Sequence, residues 1–212
     1  MIFVSLGTNK WPFERLVRTV DDLAPELDHD VFVQAGSTLD VYEPVHADYA
    51  DYVSRDEYDR LVDEADIFVT HGGTGSIVTA IEANTPVVIF PREEDRGEGA
   101  YDFMETARGW EDRQGIEVVT STDELEQVLR DDSLESLSFE GAEGLHETVA
   151  DILATRAAGK ADGELTVFCP TPPGGHLTQL LRVEDVLSEY DTHFVTWDEE
   201  ITGSIDGVEL IR

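Results

Sequence analysis

The stretch Asp66-Ile67-Phe68-Val69-Thr70-His71-Gly72-Gly73-Thr74-Gly75-Ser76 decides how this chain is read. Its first five residues are a short apolar run of the kind that forms a strand buried in a parallel sheet. Residues 77–83 then carry a short helix that stops at Asn84, ahead of Pro86. A strand that passes into a helix through three glycines in four positions lets the backbone approach a ligand, because no Cβ intervenes. The free N–H groups of the first helical turn favour an anion. Thr74 and Ser76 can cap that helix or give hydroxyl hydrogen bonds to a phosphate, and His71 can donate to a phosphate oxygen. The expected site is therefore a diphosphate-binding turn made of His71, Gly72, Gly73, Thr74, Gly75 and Ser76. The plainer alternatives are a connection whose glycines serve packing and a His71 that caps its own turn.

Strand-like and helix-like runs alternate on both sides of this stretch. Strands are expected at 2–6, 31–35, 66–70, 86–90 and 116–119, and helices at 13–23, 57–65, 77–83, 100–107, 123–129 and 144–157. Pro12 suits a first helical turn, and Ser121 or Thr122 suits a cap. Residues 39–54, rich in Tyr and Asp, read as irregular. Alternation of this kind means an α/β fold, a Rossmann-like parallel sheet covered by helices on both faces. Ligands bind such sheets beyond the carboxyl ends of the strands. Gly7 and Thr8, Gly36 and Ser37, the His71 turn and the loop holding Arg92 and Glu98 all fall on that edge. Arg92 reads as a phosphate partner or an exposed arginine, and Glu98 as a ligand for sugar hydroxyls or part of an acidic surface.

The first domain is expected to span 1–158, followed by a linker at 159–163. The pattern then restarts over 164–212 with a strand at 165–169, a glycine turn at 172–176, a helix at 177–187 and a strand at 192–197. This second segment is an incomplete β-α-β unit, too short to close a core of its own. It is expected to associate with another copy or with a partner chain. His176 in its turn is a candidate general base, or else a helix cap or phosphate contact.

Fourteen basic residues face 47 acidic ones, a net charge of −33 with a pI near 4.1. The acidic residues run the length of the chain, and 41% of its residues are hydrophobic, so this is a folded domain rather than a disordered acidic tail. An acidic surface over an ordinary core is what adaptation to high salt produces. No basic stripe is available for phosphate neutralisation, which argues against nucleic acid as a partner. The lone Cys169 excludes an internal disulfide and suits a buried apolar place in a reducing interior. Met1 opens into a strand, so no signal peptide is expected, and no apolar run reaches membrane-spanning length. The expected location is cytoplasmic, with docking at a membrane through a partner. His29, His46 and His146 stand singly, so no metal site is expected.

Several motifs taken together carry a family resemblance. Phe3-Val4-Ser5-Leu6-Gly7-Thr8 followed by Pro12-Phe13-Glu14-Arg15-Leu16-Val17 resembles the start of the carboxyl-terminal domain of family 28 glycosyltransferases. The likeness continues through Ala65-Asp66, the His71 to Ser76 turn, Pro86, Pro91-Arg92 and Gly97-Glu98, and it covers most of residues 1–110. It is greatest to the free-standing small subunits of two-component enzymes of dolichol-pathway and exopolysaccharide type. Residues 174–181, Gly-Gly-His-Leu-Thr-Gln-Leu-Leu, resemble the start of the partner subunit. The resemblance implies a GT-B architecture with a UDP-sugar donor and a lipid-linked or polysaccharide acceptor. It implies no metal and no cofactor beyond the donor, which Gly7, Thr8, the His71 turn, Arg92 and Glu98 would hold. The chain departs from the family pattern at Thr79, where many relatives carry Glu. It departs again at Gly99 and at Asp102-Phe103-Met104, where relatives carry His and then Asp-His-Gln. These departures open a second reading, a non-catalytic donor-domain homologue that scaffolds a partner subunit.

Overall fold

A computed structural model describes residues 1–100, 103–111, 113–131, 134, 137, 145–158, 165–170 and 183–195. The chain divides into two units, Met1–Phe139 and Glu140–Arg212.

In the first unit, strands β1 (Ile2–Ser5), β2 (Val31–Gln34), β3 (Asp48–Ala50), β4 (Ile67–Thr70), β5 (Val87–Ile89) and β6 (Ile116–Val118) form one sheet. Their order is β3-β2-β1-β4-β5-β6, and every pair is parallel. This is the doubly wound arrangement that the alternating sequence pattern implies. The order reverses between β1 and β4, whose register pairs Ser5 with Thr70. A crevice therefore opens beyond these two strand ends.

Side-chain alternation along the strands builds a core on each face. Ile2, Val4, Val31, Val33, Ile67, Val69 and Val88 pack with helices α1 (Glu14–Leu23) and α5 (Thr122–Asp131). Phe3, Phe68, Val87 and Ile89 pack on the opposite face with α2 (Arg55–Glu64), α3 (Thr74–Ala83) and α4 (Met104–Arg108). The Ser54 hydroxyl caps α2 by accepting from the Glu57 N–H at 3.3 Å. At α5, Ser121 Oγ accepts from the Glu124 N–H at 3.2 Å while Glu124 accepts from the Ser121 N–H at 3.2 Å, a reciprocal capping box.

One expectation needs correction. The irregular stretch contains β3, an edge strand of three residues; Asp48 and Tyr49 are both exposed, so period-2 alternation gave no signal. Asp21, fully buried on α1, explains how the loop ahead of β3 is held. Its carboxylate accepts from the N–H groups of Val45, His46 and Ala47 and from the Tyr42 hydroxyl, at 2.5–3.1 Å.

In the second unit, β7 (Thr166–Pro170) and β8 (Asp191–Val195) pair in parallel, with α7 (Glu184–Leu187) between them in sequence. This agrees with the expected β-α-β unit. Helix α6 (Leu145–Ala158), expected to close the first domain, groups with the second unit. Its Val149 and Leu153 pack against Cys169, Val183 and Leu187, so its apolar contacts decide the grouping. Cys169 is buried, as its apolar surroundings in sequence imply. The linker at 159–163 and the whole 174–181 motif, His176 included, lie outside the described residues.

Candidate functional site

The expected turn stands where β4 meets α3, at the point where the strand order reverses. Gly72 has φ +95°, a value only glycine adopts readily, and it swings the chain out of the sheet. Gly73 then occupies the N-cap position and brings no side chain to it. Helix α3 begins at Thr74, three residues earlier than the apolar spacing suggests. Thr74 and Ser76 are thus first-turn residues rather than caps. The N–H groups of Thr74, Gly75 and Ser76 open the helix with no side-chain cap, and Thr74 is exposed to solvent. This geometry suits an anion at the helix start.

His71 lies between two glycines from different strand ends. A Cβ on Gly7, after β1, would fall 2.6 Å from His71 Cε1, and one on Gly73 would fall 2.5 Å from His71 Nε2. Neither position tolerates a side chain while the ring stays where it is. Gly7 also has φ +68°, whereas Thr8 beside it is exposed. Thr70 Oγ1 lies 3.4 Å from His71 Nδ1, and the Phe103 ring meets the imidazole edge-on with centroids 5.4 Å apart. Burial pushes the His71 pKa down to about 3, helped by the positive charge of Arg92 and opposed by a hydrogen bond to the Ser5 backbone. The ring is therefore neutral at physiological pH.

Arg92 is only 1% exposed, so the alternative of an exposed surface arginine does not describe it. Its Nη1 donates to the carbonyls of Trp11 at 2.8 Å, Pro12 at 3.4 Å and Glu98 at 2.6 Å, and its Nη2 to the carbonyl of Leu6 at 3.2 Å. The guanidinium lies 4.7 Å from the Phe13 ring centroid. Desolvation lowers its pKa to about 10, so it keeps its charge near neutrality. Glu98 is not part of the acidic surface, since its carboxylate is buried against Arg15. It also accepts from the Glu93 N–H at 3.0 Å. Thr79 is buried as well and returns its hydroxyl to the Gly75 carbonyl at 3.0 Å.

Two contributors to this edge, Tyr58 and Arg15, escape the sequence reading, and Phe103 enters it only as a departure from the family pattern. Tyr58 on α2 donates its hydroxyl to Ser76 Oγ at 3.1 Å and packs edge-on against Phe3. Its place on the apolar face of α2 marked it as core only. Arg15 pairs with Glu98 across 83 residues, and Phe103 walls the turn, with its Cβ 3.4 Å from the Cβ position of Gly72. Local sequence carries no signal for partners this far apart. Among the described residues, no His, Cys, Asp or Glu group could hold a metal ion.

A doubly wound α/β domain with an uncapped helix start at its switch point is thus defined. Residues 1–155 match the glycosyltransferase family 28 C-terminal domain, and the chain belongs to that family. A zeaxanthin glucosyltransferase of Pseudescherichia vulneris is 30% identical over 139 residues, covering 63% of this chain and 33% of the relative. An uncharacterized UDP-glucosyltransferase of Bacillus subtilis (strain 168), YdhE, is 25% identical over 139 residues, covering 62% and 34%. The chain thus spans about a third of the length of these relatives. Among solved structures, UDP-glucose: anthocyanidin 3-O-glucosyltransferase in complex with UDP aligns over 89% of this chain and 40% of its own, at 16% identity and a TM-score of 0.48.

Proposed function

We propose that this chain is the donor-binding part of a glycosyltransferase. It would move a hexosyl or N-acetylhexosaminyl group from a UDP-sugar to a lipid-linked or polysaccharide acceptor. The observation that carries this reading is the placement of His71 between Gly7 and Gly73, beside the uncapped first turn of α3. Family membership and the names of the glucosyltransferase relatives support the donor class.

In this reading the diphosphate lies against the N–H groups of Thr74 to Ser76, with His71 beside it and Thr8 and Thr74 within the exposed rim. As the acceptor oxygen bonds to the anomeric carbon, the bond to the diphosphate breaks and UDP leaves with the electron pair. Negative charge grows on that diphosphate, and the helix start stabilises it without a metal. The acceptor proton would go to His176, the candidate general base of the sequence analysis. The partner would be another copy or a membrane-associated subunit at the cytoplasmic face. Among the described residues, no helix is long and apolar enough to cross a membrane.

Calorimetry with UDP in molar KCl tests the reading. Saturable binding that His71→Ala weakens is the expected result, and absence of heat with folded protein would remove it.

One observation favours a second reading, a non-catalytic homologue that scaffolds a partner subunit. Phe103, 8% exposed, fills the space beside His71 and Gly72 with an apolar ring where a sugar would need hydrogen-bonding groups. A folded chain that binds no UDP but co-purifies with a second transferase subunit would select it.

A further inference from the structure

Four segments around the crevice meet at one residue. The Arg92 side chain holds the β1 loop at Leu6, Trp11 and Pro12 and the β5 loop at Glu98. Its main chain reaches the other two segments: the Arg92 N–H donates to the His71 carbonyl at 3.4 Å, and the Arg92 carbonyl accepts from the Phe103 N–H at 3.2 Å. The loop it holds is the one that sets Gly7 on the His71 ring, where no space for a Cβ remains. Arg92 Nε is buried with no hydrogen-bond partner among the described residues, so part of its donor capacity goes unused to keep this geometry.

We infer that Arg92 is a positioning residue: it touches no substrate, but clamps the β1 loop so that Gly7 and Gly73 confine the His71 ring to one orientation. A planar guanidinium can serve four carbonyls from two directions, whereas an ammonium on a flexible stem cannot. A buried cation bound only to carbonyls would be a poor choice for stability alone, because its desolvation is uncompensated by a counter-charge at hydrogen-bond distance. The inference rests on the donor-binding reading above for its consequence, weaker diphosphate binding. The confinement of the ring can be read with no nucleotide present.

Two measurements on Arg92→Lys in molar KCl separate these levels. The first is the imidazole NMR signals of His71 in the nucleotide-free protein. One set is expected in the parent, and shifted or multiple sets in Arg92→Lys. A single, unmoved set in the variant would overturn the inference whether or not UDP binds. Should Arg92→Lys fail to fold, Gly7→Ala replaces it: this leaves Arg92 intact but crowds the ring, and unmoved His71 signals there would equally overturn it. The second is UDP affinity in a double-mutant cycle with His71→Ala. If Arg92 acts through His71, Arg92→Lys weakens binding by about 10- to 100-fold alone. It then adds less than about twofold on the His71→Ala background. Fully multiplicative losses would show that Arg92 acts independently of the ring and overturn the inference. A parent that binds no UDP would instead remove the donor-binding reading and leave the NMR result to decide the clamp.

Discussion

The Arg15 guanidinium holds the Glu98 carboxylate by two hydrogen bonds of 2.8 Å, from Nε to Oε1 and from Nη2 to Oε2. The pair joins the first turn of α1 to the loop after β5, and the Arg15 side chain lies over the Phe90 ring at 4.1 Å. A two-point pair in this setting is directional, and Arg15 Nη2 also reaches the Pro91 carbonyl and the Glu93 carboxylate, each at 3.2 Å. Glu98 is thereby engaged within the protein.

Glu98→Ala should therefore act on stability. It leaves a mostly buried arginine without its strongest partner and frees the Glu93 N–H, for a loss of about 2–4 kcal/mol in denaturant melts. UDP affinity should fall by less than it does in His71→Ala. An unchanged melt with affinity lost would mean that the carboxylate faces the donor after all.

The turn itself is tested most cleanly at Gly73. Its φ of −67° suits any residue, so Gly73→Ala brings no backbone strain and only the clash with the His71 ring. His71→Ala, which removes one hydrogen bond to a charged phosphate, should weaken UDP by about 1.5–3 kcal/mol, roughly 10- to 150-fold. Gly73→Ala should weaken it comparably. Parent-like affinity in both variants by calorimetry would show the turn to be a mere connection.

The neutral state of His71 has a pH consequence. With a native pKa near 3 against about 6.5 in the unfolded chain, the unfolded state binds the extra proton between these values. Stability tied to this group is complete above about pH 6.5 and is lost as pH falls towards 3, by at most about 1.4 kcal/mol per unit. Parent and His71→Gln melts compared from pH 7 to 5 isolate the effect from the many carboxylates. Parallel slopes in the two proteins would refute it.

Asp21 predicts a second acid-sensitive element of the fold. Its carboxylate pKa is lowered because the hydrogen bonds from Tyr42, Val45, Ala47 and His46 together outweigh desolvation, the largest single effect, which acts the other way. A lowered acid stabilises above its unfolded pKa of about 3.9 and loses that contribution as pH falls through the native value. Asp21→Asn should cost about 2–4 kcal/mol at neutral pH, since an amide cannot accept from all these donors. Hydrogen exchange at Val45, His46 and Ala47 should accelerate in step, and unaltered exchange would contradict the anchoring role.

The charge of −33 predicts salt dependence. At 1 M salt the screening length is about 3 Å, and repulsion among surface carboxylates is largely removed. Melting temperature should rise from dilute buffer to molar KCl. Equal stability at both would exclude a high-salt adaptation.

The sequence alone determined the order of strands and helices, because burial on both faces of a parallel sheet writes itself as short β-branched runs between amphipathic segments. It also located the His71 turn, since glycine is the residue type required where backbone must turn sharply or approach closely. Edge strand β3 stayed hidden, as its exposed residues have no alternation to read. Only the tertiary structure decided what Arg92 and Glu98 do. Both are charged residues in a loop, which reads as a surface or a ligand site. Their carbonyl and guanidinium partners come from the β1 loop and α1, some 80 to 86 residues away. The same holds for the pairing of Gly7 with His71. Parallel sheets bring together the ends of strands that are distant in sequence, so the contacts that shape the crevice leave no local trace.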